Sequence, residues 1–317
     1  TLGSYFAGTR AMCATSGGGY DLMTETVSLA GILEQPFVCV VVQRPGPATG
    51  LPTWTGQGDL NLAIHAGHGE YAKIVLACSD VQSAFELTQH AHNLAEKYRV
   101  PVILLSEKNV AESLVTAKSF DSDIKIERNL VDPKKEKVVS EDYFRVDGDK
   151  ISKRWLPCSS NEAYYSANGD EHDGMGRLTE ESEIAGPMYA KRVEKLKKIR
   201  SEIFAPTVYG GKTANISLVG WGSSKNVMKD VIKKAAEKDI TVNYLHFDCV
   251  WPLRTEELEE FLQANKNIYL IEGNMNGQLG QLIEAELGKK IFAERLLKWD
   301  GRSFSLDEVL EYVIANA

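Results

Sequence analysis

A guanidinium followed by prolines, glycines and threonines is the stretch of this 317-residue chain richest in possible chemistry. It runs Gln43-Arg44-Pro45-Gly46-Pro47-Ala48-Thr49-Gly50-Leu51-Pro52-Thr53-Trp54-Thr55-Gly56-Gln57-Gly58-Asp59. Arginine can grip a carboxylate through two parallel hydrogen bonds, and Thr49, Thr53 and Thr55 add hydroxyls. Three prolines and four glycines between Pro45 and Gly58 make a shaped loop. Proline fixes φ, and glycine lets the backbone come close to a ligand. Residue types alone leave two roles open for Arg44. It can bind an anionic ligand, or it can pair with an internal carboxylate and hold the loop closed.

Other chemical motifs fail on spacing. Gly17 and Gly19 follow an apolar run, but Leu22 stands where G-x-G-x-x-G needs glycine. Lys225 breaks the same motif at Gly220-Trp221-Gly222. Gly211-Lys212-Thr213 resembles the end of a P-loop, yet Pro206 replaces its first glycine and a strand follows rather than precedes it. His65 and His68 are three apart with no third ligand nearby, so no metal site is expected; they and His172 are assigned no role. Asn215-Ile216-Ser217 is a sequon by chance, opening an apolar strand. The five cysteines, at 13, 39, 78, 158 and 249, form no C-x-x-C pair and suit buried thiols in a reducing, cytoplasmic setting. A net charge of −8 argues against nucleic acid. No apolar run is long enough for a membrane span, and the first residues lack the basic start and apolar core of a signal peptide.

The elements that must carry the loop alternate in period. Met12 to Thr15 is a short strand closed by a small-residue turn, Ser16 to Gly19. Tyr20 to Glu34 reads as one helix with Leu22, Thr26, Leu29, Ala30 and Leu33 on its buried face. Phe37 to Val42 is a continuous apolar run, as in a parallel strand buried on both faces. The loop leaves its C-terminal end, where ligands bind in open α/β sheets. Ile74 to Ala77 and Val102 to Leu105 are further strands, with a helix from Val81 to Tyr98 between them.

Beyond 106 the pattern weakens. Lys118 to Glu141 is charge-rich, Glu141 to Val146 suggests an edge strand, and Asn168 to Gly176 is loop. Met188 to Ile203 is a basic helix, expected to show a solvated cationic face beside a Val193/Leu196/Ile199 stripe. Alternation resumes with strands at 216–219, 241–245 and 268–271. Helices are expected at 223–238, at 255–264 (N-capped by Thr255) and at 277–287, and Asp307 to Ala317 closes the chain. The expected fold is α/β, with two open, mostly parallel sheets and an irregular connector. The division is 1–120, 121–212 and 213–317.

The loop, preceded by Met12-Cys13-Ala14-Thr15-Ser16-Gly17-Gly18-Gly19 and followed by His68-Gly69-Glu70, resembles the alpha subunit of 2-oxoacid:ferredoxin oxidoreductases. The family form of the loop is close to Q-R-P-G-P-S-T-G-L-P-T-K-T-E-Q-G-D, which matches Gln43 to Thr53 except at Ala48. Agreement continues at Asn93 to Tyr98 with Pro101 to Leu105. It extends to Glu171-His172-Asp173 with Gly176-Arg177 and Lys191-Arg192, and to Asn274 with Gly277-Gln278-Leu279.

The resemblance implies thiamine diphosphate chemistry: oxidative decarboxylation of a 2-oxoacid, such as 2-oxoglutarate, to acyl-CoA and CO2, with electrons passed to ferredoxin. Coenzyme A is then a substrate. The diphosphate, its Mg2+ and an iron–sulfur cluster would belong to a partner beta subunit. The first domain would be the pyrimidine-binding domain, and the last would be like the transketolase C-terminal domain. By position, Arg44 and Thr53 would bind the substrate's carboxylate and oxo groups. Ser16, Gly17, Gly18, Gly19, Thr49 and Gly50 would lie near cofactor or partner.

Departures are Gly18 for the usual Pro, Trp54 and Gly56 for Lys and Glu, and Gly273-Asn274 for an Asn-Asn pair. The family's Y-P-I-T-P-S-S segment and the Glu that protonates the pyrimidine N1′ are expected upstream of Thr1. The chain is therefore expected to be N-terminally truncated and inactive alone, with no catalytic residue assigned within it. Two other functions fit the residues less well: a thiamine-dependent decarboxylase or transketolase-like enzyme without ferredoxin, and a non-catalytic scaffold.

Overall fold

The computed structural model describes every residue except 121, 122 and 149. The first two fall in the charge-rich stretch from Lys118 to Glu141, so that part of the expectation lies outside the described residues. The chain opens with α1 (Leu2–Phe6), β1 (Cys13–Thr15), α2 (Gly17–Asp21), α3 (Thr24–Ile32) and β2 (Phe37–Gln43). After the loop come α4 (Leu60–His65), β3 (Ile74–Ala77), α5 (Val81–Tyr98), β4 (Pro101–Glu107) and α6 (Lys108–Ala111). The connector holds a short 3-10 turn, Ser140–Phe144, and the long α7 (Ser182–Glu202). Next are β5 (Thr207–Gly210), β6 (Ile216–Trp221), α8 (Ser224–Ala236), β7 (Val242–Phe247), β8 (Cys249–Trp251) and α9 (Thr255–Ala264). The chain closes with β9 (Ile268–Glu272), α10 (Gln278–Leu287), β10 (Glu294–Leu297) and α11 (Leu306–Ala315).

Two five-stranded sheets result, ordered β1-β2-β4-β3-β8 and β10-β9-β6-β7-β5. All pairings are parallel except those of the two edge strands β8 and β5. The valine-rich β2 lies inside the first sheet, as a run buried on both faces must. Its alternating side chains feed two cores. Val38 packs with Ile74, Leu76, Val102 and Leu104 against α5 on the outer face. Cys39 and Val41 face inward with Ile103 and Leu105. That inner core also holds Val219, Trp221, Leu245, Phe247, Leu279 and Ile283 of the second half. The two sheets therefore share one apolar interior, which the N-terminal helices and α9 and α10 help to fill.

Several local expectations change. Tyr20 to Glu34 is not one helix: the chain breaks at Leu22 and Met23. The break resets the phase, so Leu22 is 88% exposed and Leu29 is exposed, while Val27 and Gly31 join the expected Ala30 and Leu33 inside. Ser16 to Gly19 does not form a bare turn; Ser16 is the N-cap residue and the glycines begin α2. Glu141 to Val146 is no edge strand, since its first residues belong to the 3-10 turn. Arg254, not Thr255, is the N-cap position of α9.

The basic helix differs most. Lys191, Arg192 and Lys195 of α7 are buried, not solvated. Lys191 Nζ lies 2.5 Å from Glu34 Oε1, and Lys195 pairs with the other oxygen. Arg99 donates from Nε to the Glu34 carbonyl at 2.9 Å. Burial alone would raise the Glu34 carboxyl, but the two lysines and Arg99 outweigh it and hold it far below the usual carboxylate range. One acidic side chain after α3 thus clamps the connector helix to the first sheet. Removing one partner of a buried ion cluster strands the others in low dielectric. Glu34→Gln is expected to destabilise the chain by about 3–5 kcal/mol in a denaturant titration; a loss below about 1 kcal/mol, the level of a surface pair, would contradict the clamp.

Candidate active site

The parallel register brings the strand ends level: Thr15 pairs with Val41, and Gln43 with Glu107. The start of α2, the root of the loop and the end of β4 therefore meet at one edge of the first sheet. Two glycines there sit against neighbouring side chains. A Cβ on Gly17 would lie 2.6 Å from Asp59 Oδ2, and one on Gly19 would overlap Thr15 Oγ1 at 1.9 Å. A Cβ on Gly18 would meet nothing within 4 Å, so the backbone there is open to an approaching group.

The loop closes on itself in its first half. Leu51 donates its N–H to the Pro45 carbonyl at 2.9 Å. Gly50 has φ +53°, and a Cβ there would sit 1.8 Å from the Pro45 oxygen, so only glycine fits. Arg44 is half-buried and lies along this knuckle, donating from Nε to the Thr49 carbonyl at 2.9 Å. Among the described residues its Nη atoms donate to no protein acceptor, and it forms no ion pair. Thr49 and Gly50 are exposed at the tip.

The loop's second half turns toward the other sheet. Thr53 is exposed on a recess of about 290 Å³ lined also by Trp54, Lys108, Glu112 and Arg302. The Arg302 guanidinium stacks 3.1 Å from the Trp54 ring centre. Arg44 does not line this recess, so Arg44 and Thr53 sit on different limbs of the loop. Below them Thr55, Gly56 and Gln57 are buried. Gln57 exchanges backbone and side-chain hydrogen bonds with Gly273, accepting at Oε1 from the Gly273 N–H at 2.7 Å. Its Nε2 donates to the Trp221 carbonyl at 2.9 Å and to Glu107 Oε1 at 3.2 Å. Thr55 Oγ1 donates to Glu107 Oε2 at 2.6 Å.

Asp59 closes the loop. Its N–H donates to Gln43 Oε1 at 3.0 Å, tying the loop's two ends together. Its carboxyl faces Gly17 and is pushed up to about 6, chiefly by burial, with Asp21 adding and Arg44 opposing. The sequence contained Asp59 within the loop, but nothing in its spacing marked the carboxyl as perturbed. Gln57 and Glu107 were missed as site residues, because their partners lie across the chain. The histidines stay apart. His65 ends α4, His68 lies beyond it 3.6 Å from Glu25 on the surface, and His172 is buried against Phe144. Among the described residues no three His, Cys, Asp or Glu side chains gather as a metal site.

With this geometry in view, known proteins supply a family. The model described as Pyruvate flavodoxin/ferredoxin oxidoreductase, thiamine diP-bdg, matches residues 1–185. The chain belongs to that family. A second model, Pyruvate:ferredoxin oxidoreductase core domain II, matches 214–309. The 2-oxoacid:ferredoxin oxidoreductase 1 subunit alpha of Sulfurisphaera tokodaii is 35% identical over 99% of this chain and 49% of its own length. The 2-oxoglutarate synthase subunit KorA of Methanothermobacter marburgensis is 28% identical over 99% of this chain and 82% of its own length. A solved 2-oxoglutarate:ferredoxin oxidoreductase from Magnetococcus marinus, with 2-oxoglutarate, coenzyme A and succinyl-CoA bound, superimposes with a TM-score of 0.89 and 30% identity. That match covers 99% of this chain and 54% of the other. The chain spans about half the length of the first curated relatives it matches. No helix among the described residues is long and apolar enough to cross a membrane.

The Asp59 carboxyl yields a pH test. In the unfolded chain it titrates near ~4, and in the fold near about 6. The folded state holds the proton more tightly, so this contribution to stability is present below about 4 and is lost as pH rises through about 6. Asp59→Asn is expected to raise the thermal midpoint above pH 6 and leave it unchanged below pH ~4. Equal midpoints for both proteins at pH ~8 would show that burial does not strain this carboxyl.

Proposed function

We propose that this chain is the alpha part of a thiamine diphosphate-dependent 2-oxoacid:ferredoxin oxidoreductase. The reaction converts a 2-oxoacid and coenzyme A to acyl-CoA and CO2, and two electrons pass to ferredoxin. A beta subunit would supply the diphosphate site, Mg2+ and an iron–sulfur cluster. The assembly would work in the cytoplasm. Residues 1–120 form the pyrimidine-binding domain in this proposal, 121–212 the connector and 213–317 the transketolase C-terminal-like domain. The observation that carries the proposal is the Arg44 knuckle at the end of β2, in a chain whose residues 1–185 match a thiamine-binding family.

The residues present fit the cofactor. At the β1–α2 junction the backbone is bare at Gly18, where even a Cβ would meet open space, so a flat ring can lie against it. Ser16, Gly17 and Gly19 would shape that cradle. The bound thiamine would supply the electron sink for decarboxylation. This chain's part is positioning. Arg44 has Nη donors with no protein acceptor among the described residues, suited to the substrate carboxylate. Thr53 offers a hydroxyl to the oxo group from the recess side. Holding the anion in one orientation removes rotational freedom that would otherwise oppose the reaction.

Substitution of Arg44 separates binding from structure. In the complete assembly, Arg44→Ala is expected to raise the apparent KM for the 2-oxoacid by roughly 10- to 100-fold, the loss of a charge-assisted hydrogen-bond pair. The KM for coenzyme A should stay within about twofold, since this interaction is absent from its binding. Equal rises in both would give Arg44 a structural role and remove the main support for the proposal.

A further inference from the structure

Glu107 is the last residue of β4 and is buried, 3% exposed. A carboxylate in such a place needs donors for both oxygens. Its donors come from three separate positions. Thr55 Oγ1 serves Oε2 at 2.6 Å, Gln57 Nε2 serves Oε1 at 3.2 Å, and the Ser223 N–H serves Oε1 at 3.0 Å. Two of these belong to the loop that carries Arg44 and Thr53, and the third to the turn before α8. Steric fit reinforces the arrangement. Gly222 has φ +61°, and a Cβ there would sit 2.5 Å from Gln57 Nε2 and 3.0 Å from Glu107 Oε1. Glu107 does not line the recess that Thr53 lines; it lines a smaller neighbouring cavity that shares Thr55, Asn109, Arg302 and Ser303 with that recess.

We infer that Glu107 is a positioning residue for the 2-oxoacid site: it fixes the second limb of the loop, and with it Thr53, against the second sheet. The inference rests on the functional proposal above and extends it to a residue outside the loop. Thr55 lies two positions beyond Thr53, so the Thr55–Glu107 bond sets where the Thr53 hydroxyl can stand. The first limb is held separately by Gln43 and Asp59. Loss of Glu107 would therefore loosen the side chains of Thr55 and Gln57 on this limb, whose N–H groups still reach the Gly301 and Gly273 carbonyls, while leaving the Arg44 knuckle closed through Pro45 and Leu51.

The test uses the full chain assembled with its partner subunit and the variants Glu107→Ala, Glu107→Gln and Thr55→Val. Two readings are taken: amide hydrogen exchange at Thr55 and Gln57, and KM for the 2-oxoacid against KM for coenzyme A. Glu107→Ala should speed exchange at those amides, with β2 and β4 unchanged, and raise the 2-oxoacid KM by about tenfold. Thr55→Val should do the same to a smaller degree, by about threefold. Glu107→Gln keeps an acceptor for Gln57 and Ser223 and a group for the Thr55 hydroxyl, so it should stay near wild type in both readings. Unchanged exchange in Glu107→Ala overturns the inference, and so does a rise in both KM values together. Faster exchange with an unmoved 2-oxoacid KM shows a held limb that does not hold the substrate, which overturns the inference and the Thr53 assignment, while Arg44 is decided by its own substitution. Should Glu107→Ala fail to fold, Thr55→Val decides on the same criteria. If the wild-type assembly turns over no 2-oxoacid, the functional proposal falls alone, and exchange still decides whether Glu107 holds the loop.

Discussion

A carboxylate taken out of water must be given hydrogen-bond donors, and Glu107 takes its donors from segments that would otherwise have no reason to meet. The same rule governs Glu272 at the end of β9. It accepts from Trp221 Nε1 at 3.0 Å, Asn274 Nδ2 at 2.7 Å and the Leu279 N–H at 2.9 Å. Gln57 joins the two carboxylates, because it bonds to Glu107, to the Trp221 carbonyl and to Gly273, and its own carbonyl accepts from Asn274. A continuous polar seam thus crosses from one sheet to the other above a shared apolar core. Burial raises both carboxyls, and the hydrogen bonds work against that rise.

The connector is fastened by a different device. Glu34 gathers Lys191 and Lys195, while Glu96 gathers Arg10, Arg128 and Arg154. In each case one buried acid holds several cations: two lysines on α7 for Glu34, and three arginines from separate segments for Glu96. Such clusters contribute little net stability compared with apolar packing. Their value here is geometric, since each cation has few other places to go. The connector is thereby pinned at two points, to the turn between α3 and β2 and to α5.

Much of this was legible in the sequence, and the failures have common causes. Continuous apolar runs identified β2, β3 and β4, and the strong period of Val81 to Tyr98 identified α5, because burial dictates both patterns directly. The edge strands β5 and β10 are largely exposed or half-buried, so no apolar run betrays them. The cationic face of α7 misled because composition cannot tell a lysine in water from one against a buried glutamate. The loop was legible as a shaped element near a ligand. Its anchoring by Gln57 and Glu107 was not, since those partners lie 50 positions apart and carry no spacing rule.

The short strand β8 has a consequence of its own. Cys249 to Trp251 runs antiparallel along β3 and covers what would otherwise be a bare edge of the first sheet. An uncovered edge of this kind, with the fully buried Ile74 to Ala77 behind it, offers a template for foreign strands. Severed from β8, the N-terminal half would present a sticky border open to self-association.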